Sequence, residues 1–231
     1  MTRNSILFSL LISIVLIVSC QWEDPAAPEP IGPDPIPWQT VHRDSITTGS
    51  YMGIAIGQTA AASYESIRKF PVPQGLDYLT VSGRQTADIG SLASTLPLYH
   101  TIMIDERKGT DAGLQITITR GVVTALYLNS GKKLTRWPEK GNVYIAIGNF
   151  AEDLHGRLVN ISKGKSHAKR FERISLLNKD LRTAFDPKMA DSPGWAFAYL
   201  KSDGTLEQVS IHLSEGKVKA LVIKLMRQAG I

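Results

Sequence analysis

Five histidines, His42, His100, His155, His167 and His212, lie along the chain, and none is paired at the helical spacing that suits zinc. His42 falls in a linker, His155 on the solvent side of a helix, and His212 on the polar face of a strand. Asp105-Glu106 and Glu152-Asp153 are adjacent acid pairs. Neighbours point apart on a strand or a helix, so neither pair makes an acid/base dyad. Gly164-Lys165-Ser166 matches the tail of a phosphate-binding loop, but Val159 stands where the first glycine of that loop is required. Without that glycine the backbone cannot wrap a nucleotide's phosphates. Ser66-Ile67-Arg68-Lys69 and Ser130-Gly131-Lys132-Lys133 fit Ser-x-x-Lys, with no partner motif beside them and no Gly-x-Ser-x-Gly elbow in the chain. These residues call for no enzyme, no cofactor and no metal.

Two polar groupings could instead bind. Arg157, Lys163, Lys165, Lys169, Arg170 and Arg173 lie within seventeen residues, with Glu172 the only acid beside them. They form a candidate patch for an anionic partner such as lipid headgroups, lipopolysaccharide phosphates or an acidic protein. The same residues also suit a solvated loop and helix face. Nucleic acid is a poor target for an exported chain, and Phe171 is the only aromatic interleaved. The second grouping is Gln115, Thr117, Thr119, Gln208, Ser210 and His212. These residues alternate with apolar ones and define a hydrogen-bonding sheet face.

The elements that must position these groups follow from periodicity. Leu114, Ile116 and Ile118, and later Val209, Ile211 and Leu213, repeat every second residue, which predicts strands buried on one face. Ala60, Tyr64 and Ile67, and Phe150, Leu154, Leu158 and Ile161, repeat at helical spacing. Ser202-Asp203-Gly204 and Ser214-Glu215-Gly216 carry turn chemistry. Ile54-Ala55-Ile56-Gly57 recurs as Ile145-Ala146-Ile147-Gly148, and Gly121-Val122-Val123-Thr124-Ala125-Leu126 is echoed by Gly216-Lys217-Val218-Lys219-Ala220-Leu221. The expected fold is α+β. Two tandem repeats, 51–141 and 142–231, each place a helix on a three- to four-stranded antiparallel meander.

The chain has one cysteine, which excludes an internal disulfide framework. Arg3 precedes a thirteen-residue apolar stretch, Ile6 to Val18, ending Ile17-Val18-Ser19-Cys20. That stretch is shorter than the ~20 apolar residues of a spanning helix and suits a signal peptide, residues 1–19. The segment resembles the bacterial lipoprotein signal, whose cysteine is acylated. The resemblance assigns lipidation to Cys20 and implies a membrane anchor of several acyl chains, the outer membrane being favoured because no aspartate follows the cysteine. Between Pro25 and Pro37 stand six of the chain's twelve prolines, so 20–50 reads as an extended linker or stalk. Five acids and one base lie between Cys20 and Asp44, leaving residues 45–231 with 24 basic and 16 acidic side chains, a charge of +8.

Gly57-Gln58-Thr59, followed by Tyr64 and Ile67, is similar to the glycine-led helix of the SmpA/BamE type of outer-membrane assembly lipoprotein, and the tandem form resembles the β-lactamase-inhibitor-protein fold. The second copy, Gly148-Asn149-Phe150, lacks the threonine. The resemblance implies protein binding through the sheet face without chemistry. The expected function is a lipid-anchored, non-enzymatic protein-binding module. The alternatives are an envelope hydrolase or transferase with a site at the repeat junction, and a structural surface-attachment component.

Overall fold

Alternation of buried and half-exposed side chains runs through the long strands, and it builds one sheet with one covered face. A computed structural model describes residues 37–71 and 76–229. The segment expected to be a lipoprotein signal, Cys20 and the part of the expected stalk up to residue 36 lie outside the described residues.

The strands and helices follow in chain order. β1 (Trp38–Ile46) leads through a small hairpin, β2 (Ser50–Tyr51) and β3 (Ile54–Ala55), into helix α1 (Ala60–Lys69). Then come β4 (Tyr78–Val81), β5 (Gln85–Thr86), β6 (Tyr99–Asp105), β7 (Leu114–Thr119), β8 (Val122–Leu128) and β9 (Lys133–Leu134). A second small hairpin, β10 (Arg136–Trp137) and β11 (Ile145–Ala146), leads into α2 (Ala151–Ser162). The chain ends on β12 (Arg173–Asp180), β13 (Gly194–Leu200), β14 (Leu206–Ser214) and β15 (Lys217–Gln228).

Two tandem units, each with a small sheet of its own, are not what the chain forms. It forms a single eleven-stranded sheet in the order β1-β15-β14-β13-β4-β12-β6-β7-β8-β9, with β5 pairing on β12. β4 from the N-terminal half lies between β12 and β13 of the C-terminal half, and β12 in turn pairs with β6. The crossing strands weld the halves together. The turns before the helices interlock as well. Gly57 N donates to Val218 O at 2.8 Å and Ala60 N to Gly216 O at 2.8 Å, while Gly148 N donates to Val123 O at 2.8 Å and Ala151 N to Gly121 O at 2.8 Å. Each helix therefore starts against a hairpin turn from the other half. Gly57 and Gly148 have φ of +83° and +91°, a left-handed backbone that a side chain would strain.

Residues 38–46, read from sequence as part of the linker, are a strand paired along β15. The pairing is by backbone, because every side chain from Trp38 to Ser45 is exposed. A bulge at Val41 interrupts the register, as suits an exposed edge.

The core is one cluster between the sheet and the helices. It joins Ile102, Ile104, Ile116, Leu126, Leu176, Val209, Ile211 and Leu221 of the sheet to Tyr64 and Ile67 of α1 and Leu154 and Leu158 of α2. α1 is capped by Thr59, whose Oγ1 accepts from Ala62 N at 3.3 Å. α2 begins at Phe150, which offers no side-chain cap.

Charged groups are buried within the fold as well. Lys179 is 0% exposed on β12, its Nζ donating to Tyr64 Oη at 3.0 Å, Asp180 O at 2.9 Å and Thr183 Oγ1. Burial pushes its ammonium down to about 8 from the usual 10.5. Nearby, buried Asp186 accepts from Arg84 Nε at 3.2 Å and from Tyr99 Oη at 2.9 Å.

Candidate functional site

Register decides which side chains share the uncovered face of the sheet. Gln115 and Thr117 on β7 stand opposite Met103 and Thr101 on β6, and opposite Tyr127 and Ala125 on β8. Gln208, Ser210 and His212 on β14 stand opposite Ala198, Ala196 and Gly194 on β13, and opposite Lys224, Val222 and Ala220 on β15. All six residues proposed from sequence lie on this face, half-exposed except for His212, which is exposed. They do not form one cluster. Five strand spacings separate β7 from β14, about 24 Å at ~4.8 Å each.

The residues between the two groups went unnoticed in the sequence, because they sit on the strands that cross between halves. Asn178 Nδ2 donates to Thr101 Oγ1 at 3.1 Å, and Thr80 Oγ1 donates to Asn178 Oδ1 at 3.0 Å. Thr80 is then opposite Ala196, and Ala196 opposite Ser210. A line of small hydroxyl, amide and methyl side chains therefore runs unbroken across β7, β6, β12, β4, β13 and β14. Two carboxylates reach this side, and arginines hold both. Arg182 forks onto Asp180 with Nε at 2.9 Å and Nη2 at 2.7 Å. Arg173 Nη2 lies 3.3 Å from Asp105, which also accepts from Thr110 and Asn129. Burial works to raise the Asp105 carboxyl, but these hydrogen bonds and Arg173 hold it below the usual carboxylate range. Arg43, Lys133 and Lys224 complete the face without ion-pair partners among the described residues.

The six basic residues proposed as an anionic patch divide by role. Arg157 Nη1 donates to Tyr144 O at 3.2 Å, Arg170 Nη1 to Thr110 Oγ1 at 2.8 Å, and Arg173 to Arg107 O and Asp105. These three arginines are half-buried and fasten loops. Lys163, Lys165 and Lys169 are exposed and have no carboxylate partner among the described residues. Beside them is a small cavity of about 200 Å³ between Trp137, Ser166, His167 and Arg170. The His167 ring meets Trp137 edge-on at 5.5 Å and lies 2.8 Å from Ser166 Oγ.

Two of the remaining histidines pack against neighbouring elements. His155 is half-buried, with Nε2 3.1 Å from Ile89 O, rather than facing solvent. His100 stacks on Tyr78 at 3.9 Å. His42 is on β1 rather than in a linker. Among the described residues no three His, Cys, Asp or Glu side chains gather as a metal site would require, and no helix is long and apolar enough to cross a membrane.

A cleft of about 820 Å³ opens where α2 starts against the β7–β8 turn. Pro97, Ile118, Arg120, Phe150, Arg182 and Thr183 are among its walls. Phe150 is 65% exposed there, and Arg120 takes a left-handed φ of +51°. Its acids are Asp180, already clamped by Arg182, and Glu152 on the first turn of α2.

No family model, curated protein or solved structure matches the chain.

Proposed function

We propose that this protein is a lipid-anchored, extracytoplasmic binding module that offers the uncovered face of its sheet to a protein partner. The carrying observation is the composition of that face. Hydroxyl, amide and methyl groups span its centre, its carboxylates are neutralised by arginines, and its unpaired charges are cationic. Ten strands at ~4.8 Å spacing give a surface about 43 Å across, enough for a protein interface of standard size. Rigid, short side chains lose little entropy on binding and supply hydrogen bonds without forming a sticky apolar patch. The free cations suit a partner with an acidic rim. Acylated Cys20 and the proline-rich segment behind it would hold this face away from the membrane.

A photo-crosslinking residue placed at Thr117 or Gln208 in intact cells should yield a discrete adduct, and Ser210→Arg should abolish it. The same residue at Glu65, on α1, should yield none. Adducts equal from both faces, or untouched by Ser210→Arg, would remove the proposed surface. Palmitate labelling lost in Cys20→Ser tests the anchor separately.

A further inference from the structure

The three exposed lysines and the cavity beside them are not used by the sheet face, and together they have the chemistry of an oxyanion site. The chain leaves α2 through Lys163-Gly164-Lys165-Ser166-His167, a tight turn in which His167 N and Ala168 N both donate to Gly164 O at 2.9 and 3.1 Å. The backbone N–H groups of Lys165 and Ser166 have no partner among the described residues. Successive free N–H groups in a turn make a concave, electropositive nest. Ser166 and His167 line the cavity on this side, with Ser166 Oγ 2.8 Å from His167 Nδ1. Arg170 lines it from the following turn, anchored by Thr110 at 2.8 Å and by Glu106 at 3.5 Å. Anchoring through Nη1 presets the guanidinium and leaves its other N–H donors for a ligand. Trp137 and Leu134 supply an apolar wall. One carboxylate, Glu139, also lines the cavity, and Lys132 Nζ engages it at 2.7 Å.

We infer that this cavity binds a phosphoryl oxyanion, with Ser166, His167 and Arg170 as direct ligands and Lys163, Lys165 and Lys169 as the surrounding positive field. Its volume of about 200 Å³ admits a phosphate group with its water but not a nucleotide's base and sugar. The missing glycine at Val159 agrees with that limit. A phosphodiester headgroup at a membrane surface and free phosphate present the same oxygens, and charge-assisted donors recognise both.

The full chain carrying Cys20→Ser, in neutral maltoside micelles and with ¹³C-labelled histidine, separates these sources. Inorganic phosphate is titrated at constant ionic strength against chloride, and mixed micelles containing phosphatidylglycerol are compared with micelles containing phosphatidylcholine. The His167 ring resonance should shift saturably with phosphate and not with chloride. Lys165→Gln with Ser166→Ala should weaken binding by about tenfold or more while the other four histidine signals hold their positions. These two side chains tie no other element in place, so the variant should fold, and Arg170→Met gives an independent loss. Lys219→Gln, distant in sequence and of equal charge change, should leave the affinity unaltered. Tighter binding to phosphatidylglycerol micelles than to phosphate identifies a lipid headgroup, and the reverse identifies a free oxyanion. No saturable shift with either probe, or equal losses in Lys219→Gln and the cavity variants, would overturn the site.

Discussion

Replacing Lys179 with methionine should remove a gain in stability that the wild type makes as the pH rises above 8. Lys179 is wholly buried and contacts neutral oxygens of Tyr64, Asp180 and Thr183. Its folded-state value of about 8 is below the 10.5 of the unfolded chain. Below pH 8 both states hold the proton, and folding bears the full cost of desolvating the charge. From pH 8 upward the folded protein sheds a proton that the unfolded chain retains, so stability rises with pH. The full interval is worth about 3 kcal/mol, of which roughly 2 kcal/mol is realised by pH 10. Tyrosine ionisation opposes this rise and overtakes it before pH 10. Burial holds Tyr51 and Tyr64 up at about 12, so the unfolded chain ionises its tyrosines first and gains stability. Urea unfolding followed by tryptophan fluorescence should therefore show the wild-type midpoint gaining about 1 M on that of Lys179→Met between pH 8 and 10, a difference from which the tyrosines shared by both proteins cancel. In Lys179→Met stability near pH 7 should be little changed, because relief of desolvation offsets the lost hydrogen bonds. A midpoint difference that stays constant between pH 8 and 10 would refute the assignment to Lys179.

Three further perturbations have definite expected outcomes. Arg84→Met leaves the Asp186 carboxylate buried with Tyr99 and a backbone N–H, and should cost about 3–5 kcal/mol in the same urea assay. Thr59→Ala should destabilise by about 1 kcal/mol through loss of the α1 cap, whereas Phe150→Ser, which gives α2 a cap it lacks, should stabilise by a similar amount. Gly194→Ala would set a Cβ 2.5 Å from Ile211 O across the β13–β14 pair. Overpacking of that kind costs about 1–3 kcal/mol and should lower the thermal midpoint.

The local elements were legible in the residues themselves. The apolar alternation at Leu114, Ile116 and Ile118 became β7, and that at Val209, Ile211 and Leu213 became β14. The spacing of Ala60, Tyr64 and Ile67 became the buried face of α1. The exception on α2 is Phe150, whose apolar side chain fits the helical pattern and yet stands in solvent at the cleft where α2 starts. Gln115, Thr117, Gln208 and Ser210 share a face of the sheet because a period of two assigns a side chain to a face whatever strand lies beside it. Its continuity was not legible. Thr80, Thr101 and Asn178 meet only because β4 and β12 cross between halves.

Strand alternation, turn chemistry, helix starts and charge inventory were thus determined by the sequence alone, since each depends on residues within a few positions of one another. The tertiary structure alone decided strand partnership. A one-dimensional pattern expected two small sheets, and pairing of β4 with β13 and of β12 with β6 made one. It also divided the basic cluster, because the arginines reach loops distant in the chain while the lysines reach solvent. Hydrogen bonds between strands are satisfied equally well by many partners, so local periodicity names the face and only global packing names the neighbour.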